Sequence, residues 1–98
     1  MPRTFYSDYV QRCMRFYVRY SKSEFLNGVD KENWIACARA LKSFSRWERC
    51  VLLAVYRNGD TLVNNVYRVS KKQSVEQEKV WGLIHKLEYR IAKERGLL

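Results

Sequence analysis

The sequence has 98 residues, a length typical of one domain with one hydrophobic core, so we expect a single domain over 1–98. Apolar residues make up 47% of the chain, which argues against disorder, and one Pro with four Gly leaves few residues for the turns of an all-β protein. The 19 Lys and Arg outnumber the 10 Asp and Glu, and the formal charge of +9 favours a polyanionic partner, with DNA first. We therefore predict an all-α fold, a small bundle of about five helices.

The first predicted helix covers about 5–20, and either Ser7 or Thr4 is available to cap its amino end. Its apolar stripe has helical spacing and consists of Tyr6, Val10, Cys13, Met14 and Tyr17. A loop over 21–28 follows, which we expect to be anchored on the core by Phe25 and Leu26.

The second predicted helix covers about 31–43 and is capped by Asp30. Its inward face is predicted to consist of Trp34, Ile35, Ala38 and Leu41. These two helices make up the amino-terminal part of the domain, residues 1–44.

The third predicted helix begins with Ser45 and Glu48, the Ser-x-x-Glu arrangement in which each side chain satisfies the backbone donor of the other residue. It is predicted to bury Trp47, Val51, Leu52, Ala54, Val55 and Tyr56. Asn58 and Gly59 should end it, because glycine tolerates the left-handed conformation that closes a helix.

The fourth predicted helix covers about 61–70, is capped by Asp60 or Thr61, and is followed by a turn over 70–74. Its buried side is predicted to consist of Leu62, Val66 and Val69.

The fifth predicted helix runs to about Glu94 and is stopped by Gly96. Its start is open between two alternatives: a cap at Glu76 flanked by a Val75–Val80 staple, or a cap at Ser74 with Gln77 reaching back. Its apolar stripe is Val80, Ile84, Leu87 and Ile91.

Cys13, Cys37 and Cys50 are odd in number, widely spaced and set in apolar helical patterns, which predicts buried free thiols rather than a metal or redox site. The first residues lack the apolar stretch of a signal peptide, and the longest uncharged apolar run, 50–56, is too short to span a bilayer. We expect a cytoplasmic protein that does not contact membranes.

No group of residues suggests catalysis. The single histidine, His85, lies on the flank of the last helix, and no carboxylates pair at a spacing typical of a metal site. No glycine-rich loop could hold a nucleotide. We predict a non-enzyme without cofactor or metal.

Basic residues run the length of the chain, and those at the last turn and helix are placed best for DNA. Lys71 and Lys72 lie in the predicted turn directly before that helix, where they would contact a phosphate backbone. Four basic residues of this helix are seven, four and three positions apart, so they share one side, opposite the apolar stripe. They are Lys79, Lys86, Arg90 and Lys93. If it enters a major groove, the side chains best able to read base edges are Gln73, Gln77 and Lys79.

Two other groups of charges complicate this interpretation. Arg12, Arg15 and Arg19 share a face of the first helix, extended by Lys22, which is either a solvated face or a second phosphate-contacting surface. Glu76 and Glu78 at the tip of the last helix would repel phosphates unless they cap the helix or accept from a cytosine amino group.

A family resemblance follows from residues 45–97. The run Ser45-Arg-Trp-Glu-Arg, then Tyr56-Arg-Asn-Gly-Asp-Thr-Leu62 and the pattern from Val80 to Arg95, resembles region four of bacterial sigma factors. It is most similar to the small sigma-region-four-like regulators of phages and integrative elements. The resemblance implies a helix-turn-helix transcription regulator whose last helix enters the major groove, with Lys71, Lys72, Gln77 and Lys79 at the DNA.

Residues 1–44 match no sigma segment, and they could form a homodimer interface or wrap around the helix-turn-helix. The resemblance also leaves open an anti-CRISPR-like function, in which a small basic mobile-element protein inhibits a host nucleic-acid enzyme by binding protein or guide RNA. For such a host protein or ribonucleoprotein partner, the expected anchors are Tyr9, Phe16 and Tyr20. RNA binding and a purely structural role remain as further alternatives.

Overall fold

The computed structural model describes residues 5–20 and 26–98, and within them the chain forms five α-helices and no β-strand, which confirms the all-α class. The helices are α1 (Ser7–Tyr17), α2 (Gly28–Leu41), α3 (Arg46–Arg57), α4 (Leu62–Gln73) and α5 (Gln77–Glu94). None of these helices is long and apolar enough to cross a membrane.

Helix α5 is the centre of the bundle and packs against each of the other four helices. The predicted stripe is confirmed, because Val80, Ile84, Leu87 and Ile91 are all fully buried. At about 1.5 Å per residue, the 18 residues of α5 span about 27 Å, which matches the two shorter dimensions of the molecule, 27 and 25 Å. Because α1 and α2 also pack on α5, the amino-terminal part covers the same core instead of forming a separate one.

Helix α1 is shorter than the predicted 5–20, and its buried stripe of Val10, Cys13 and Met14 is confirmed. Ser7 does not cap it. Ser7 lies inside the first turn, is buried, and its hydroxyl donates to Glu88 Oε1 at 3.1 Å. The alternative cap, Thr4, lies outside the described residues, as does Lys22.

Helix α2 begins at Gly28, earlier than predicted, so Asp30 lies within the first turn and is not the cap. A carboxylate there still interacts favourably with the positive end of the helix dipole. The buried face is Ala36, Cys37, Ala40 and Leu41. Of the predicted inward residues only Leu41 is fully buried, because the helix is rotated toward its small residues, whereas Trp34, Ile35 and Ala38 lie at the edge of the interface, half-buried. Leu26 is half-buried, and Phe25 lies outside the described residues.

The predicted start of α3 is confirmed in full. Ser45 Oγ accepts from the Glu48 backbone N–H at 3.2 Å, and the Ser45 N–H donates to Glu48 Oε1 at 2.8 Å. The prediction that Trp47 is buried is wrong, since 40% of it is exposed. Phe44, just before the helix, is 4% exposed and fills the core position instead.

The turn between α3 and α4 is closed by a buried asparagine and not by glycine. Asn58 is extended (ψ 134°) and Gly59 is not left-handed, so the predicted mechanism is wrong although the helix does end there. The Asn65 amide nitrogen donates to the carbonyls of Val55 at 2.8 Å, Asn58 at 2.9 Å and Asp60 at 3.3 Å. Thr61 then caps α4 by accepting from the Asn64 N–H at 3.2 Å, one of the two predicted caps.

Helix α4 continues to Gln73, so 70–73 are helical and the predicted turn over 70–74 is wrong. Ser74 closes the helix in the left-handed conformation (φ 55°, ψ 45°). Its N–H donates to the Lys71 carbonyl at 3.4 Å, and the Val75 N–H donates to the Ser70 carbonyl at 3.0 Å. Ser74 therefore ends α4 and does not begin α5. Glu76 takes the N-cap position of α5, with no side-chain hydrogen bond to the helix.

The predicted stop at Gly96 is confirmed, because this residue has a φ of +72°. The Gly96 N–H donates to the Lys93 carbonyl at 3.1 Å and the Leu97 N–H to the Ala92 carbonyl at 2.8 Å, the paired bonds of a Schellman motif.

The three cysteines are free thiols, of which two are buried. Burial raises the pKa of Cys13 and that of Cys37, so both stay neutral. The prediction of burial is wrong for Cys50, which is exposed on α3.

Candidate nucleic-acid interface

The carboxyl-terminal turn of α4 and the start of α5 bring five of the predicted contact residues together. Their side chains are all exposed, and only the turn at 74–76 separates the two helices. The five are Lys71, Lys72, Gln73, Gln77 and Lys79.

The outer side of α5 continues this basic surface. Lys86, Arg90 and Lys93 are exposed, at helical positions opposite the buried stripe. Together with Lys71, Lys72 and Lys79 they form a group of six cations, which we call the α4–α5 basic surface.

Four lysines of the α4–α5 basic surface lie over aromatic rings. The Lys71 ammonium is 5.5 Å from the centroid of Tyr67, and the Lys93 ammonium is 5.5 Å from that of Tyr89. Both pairs have the i, i+4 spacing, so the sequence carries a signal for them.

The other two pairs connect α5 to the beginning of α3. Lys79 lies 5.8 Å from the Trp47 ring and Lys86 lies 5.8 Å from the Phe44 ring. The basic surface therefore extends across α5 to Trp47. Neither contact could be predicted from spacing, because each joins residues far apart in the chain.

Arginines form the ion pairs of the described part of the chain. Arg39 pairs with Glu94 at 3.8 Å, Arg68 with Asp60 at 3.0 Å and Arg95 with Glu32 at 3.1 Å. Within residues 5–20 and 26–98, none of the six cations of the α4–α5 basic surface has a carboxylate partner within 4 Å. These six side chains are therefore held by no ion pair within the described residues.

Three carboxylates lie near this surface. Glu76 at the N-cap and Glu78 in the first turn of α5 are exposed, at the end of the helix where the dipole favours negative charge. Glu48 lies near Lys79 and Lys86. Its hydrogen bond from the Ser45 backbone N–H is the main cause of its lowered pKa, with smaller contributions from the two lysines. Glu48 therefore stays charged and reduces the positive potential between them.

The arginine face of α1 is not a single basic surface. Arg12 and Arg19 are exposed, but Arg15 is half-buried. Arg15 Nη1 donates to the Asn58 carbonyl at 3.0 Å, and its Nη2 donates to the Asp60 carbonyl at 2.7 Å. Arg15 therefore braces the α3–α4 turn, and two arginines remain for a phosphate.

The aromatic residues of α1 differ in availability. The Tyr9 hydroxyl donates to Asn33 Oδ1 at 2.6 Å and accepts from Arg95 Nε at 3.4 Å, so it is committed to the fold. Phe16 is half-buried and stacks on the exposed ring of Tyr20, with 4.7 Å between centroids.

Possible metal-ligating and catalytic side chains are far apart in residues 5–20 and 26–98. No group of three His, Cys, Asp or Glu residues within them could hold a metal ion. His85 is half-buried, 6.3 Å from the ring of Trp81.

Fold and surface together define a small all-α protein that carries a group of exposed cations on α4 and α5. No protein-family model matches the chain, and no curated protein or solved structure does.

Proposed function

We propose that this protein is a DNA-binding transcription regulator of a phage or mobile genetic element. In this proposal α4, the turn at 74–76 and α5 act as a helix-turn-helix, as the resemblance to sigma region four implies. The short turn between two helices that pack on each other supports this, since such units join their helices by three or four residues. The protein would act in the cytoplasm, without catalysing a reaction.

The observation that carries the proposal is the set of six unpaired cations on the α4–α5 basic surface. A duplex presents one negative charge about every 1.7 Å along its axis, and cations that neutralise phosphates release condensed counterions. Cations without carboxylate partners need break no ion pair to make those contacts. Arg39, Arg68 and Arg95, which are paired, would have to give up intramolecular contacts first.

Roles within the surface follow from position. Lys71 and Lys72, at the end of α4, lie where a helix-turn-helix meets the phosphate backbone. Gln73, Gln77 and Lys79 flank the turn and carry amide and ammonium groups that read base edges in the major groove. We assign Glu78 to accept from a cytosine amino group, which removes its conflict with the phosphates.

The test is fluorescence anisotropy with a random duplex of about 30 base pairs over a salt series. We expect micromolar or tighter affinity at low salt, falling steeply as salt rises. Replacing Lys71 and Lys72 together by Ala should reduce the slope of log K against log salt by about two units, because each phosphate contact contributes about 0.9.

The matched control is the double variant Arg12→Ala with Arg19→Ala. Like the lysine variant, it removes two positive charges, but from α1 and the residues just after it. It spares Arg15, whose loss would disturb the α3–α4 turn. An unchanged slope in this control supports the proposal. If the control lowers the slope and the lysine variant does not, DNA binds on α1. Absence of duplex binding at low salt overturns the proposal.

A second candidate function is inhibition of a host nucleic-acid enzyme through protein contact. The Phe16–Tyr20 pair favours it, because aromatic residues at a surface are frequent anchors of protein interfaces. Binding of this kind survives moderate salt. A double variant, Phe16→Ala with Tyr20→Ala, should lose binding to the host protein and keep binding to duplex DNA, which distinguishes the two functions.

A further inference from the structure

Gly82 is the sixth residue of α5 and lies in the middle of its exposed side. Within a helix, glycine is less favourable than alanine because its backbone loses more freedom on folding. The fold offers no compensation here. Gly82 does not have a positive φ, and a Cβ built at this position meets no atom within 4 Å. Neither backbone conformation nor internal packing therefore requires a glycine.

The surroundings of Gly82 are those of a contact point. Lys79 lies three residues before it and Lys86 four residues after it, so both flank it on the same side of the helix. Their ammonium groups lie over Trp47 and Phe44, on the side of α5 that faces the start of α3. The α5 backbone at Gly82 is thus accessible between two cations.

We infer that Gly82 is the point at which bound duplex DNA comes closest to the α5 backbone, with the Lys79 ammonium at a base edge on one side and the Lys86 ammonium at a phosphate on the other. This inference rests on the proposed function and deepens it. A major groove about 12 Å wide leaves little clearance for a helix that is about 10–12 Å across with its side chains. Omitting one side chain at the contact lets the helix sit deeper, so that the flanking ammonium groups of Lys79 and Lys86 reach the DNA.

The test compares Gly82→Ala and Gly82→Gln with the wild type by duplex anisotropy and by thermal unfolding. Gly82→Ala should raise the melting temperature, because alanine is the better helix former. It should nevertheless weaken duplex affinity about tenfold, as overpacking of a close contact does, and Gly82→Gln should weaken it further. The slope of log K against log salt should fall by up to about one unit, because the added side chain holds the Lys86 ammonium away from its phosphate.

Gly59→Ala is the matched control. Gly59 also has open space around its Cβ position and no positive φ, but it lies in the α3–α4 turn, so its substitution should leave affinity unchanged. If the wild type binds duplex and Gly82→Ala binds equally well, the inference is overturned and the proposed function stands. A loss of affinity accompanied by a lower melting temperature, or an equal loss in Gly59→Ala, also overturns it. If the wild type does not bind duplex, the proposed function itself fails.

Discussion

At the residue scale, one backbone conformation determines where α4 ends. Ser74 is left-handed, and among the described residues it is the one non-glycine residue with positive φ. A side chain in this conformation costs about 1–2 kcal/mol relative to the right-handed one. The strain is offset by the two backbone bonds that close α4 and by the Ser70 hydroxyl, which donates to the Val75 carbonyl at 2.6 Å.

We predict that Ser74→Gly stabilises the protein. Relief of the strain exceeds the added chain entropy of a glycine in the unfolded state, so the free energy of unfolding should rise by about 0.5–1 kcal/mol. Urea denaturation measures the change. Ser74→Val, which places a branched Cβ in the same conformation, should lower the free energy of unfolding. If Ser74→Gly also lowered it, the strain at Ser74 would not be the cause.

Residue type also separates structural cations from available ones. A guanidinium offers several donors in a fixed plane, so it can hold two backbone carbonyls at once, as Arg15 does. The lysines of the α4–α5 basic surface carry compact charges on flexible stems, and four of the five lie over aromatic rings. Charge counts from sequence treat the two alike.

At the element scale, the α3–α4 turn depends on the buried side chain of Asn65. We predict that Asn65→Ala lowers the free energy of unfolding by about 1–3 kcal/mol, because the buried Val55 carbonyl loses its side-chain donor, whereas the carbonyls of Asn58 and Asp60 keep those of Arg15. Asn64→Ala is the control. Asn64 is exposed, its side-chain amide donates to Asp60 Oδ1 at 3.2 Å, and its loss should cost less than about 1 kcal/mol. Equal losses in the two variants would contradict this role.

The same turn makes stability depend on acid. The Asp60 carboxylate accepts from the Thr61 backbone N–H at 2.7 Å, the main cause of its lowered pKa, with help from Asn64 and Arg68. A pKa that is lower in the folded state contributes stability above the unfolded value, and this contribution is lost as pH falls through the folded value. The stability that Asp60 contributes is therefore lost at pH values below about 4.

We predict that Asp60→Asn flattens the decrease of melting temperature between about pH 6 and pH 3, because its amide oxygen still accepts from Thr61 but does not titrate. Thermal unfolding followed by circular dichroism over this range is the measurement. The same substitution at the exposed Asp30 is the control. A wild-type pH dependence in Asp60→Asn would show that other groups control acid unfolding.

At the scale of the whole molecule, α5 joins all the other helices in one core. We predict one cooperative unfolding transition, in which circular dichroism and the fluorescence of Trp34, Trp47 and Trp81 report the same midpoint. Leu87→Ala, at a fully buried position of α5, should lower stability by about 2–5 kcal/mol in both signals together. Two separate midpoints would show that residues 1–44 form an independent unit.

Local chemistry and periodicity by themselves determined the all-α class, the buried stripe of α5, the Ser45–Glu48 capping box and the stop at Gly96. Each depends on residues within a few positions of one another, so spacing alone predicts it.

Only the tertiary structure decided the contacts between distant residues. It placed Phe44 in the core where Trp47 was predicted. It assigned Arg15 and Asn65 to the α3–α4 turn. It also placed Lys79 and Lys86 beside the start of α3. It also extended α4 through Gln73, where Ser74 is left-handed and the next residue, Val75, packs against the core. These outcomes depend on which helices meet and at what rotation, and neither quantity is encoded in the spacing of residues along a single helix.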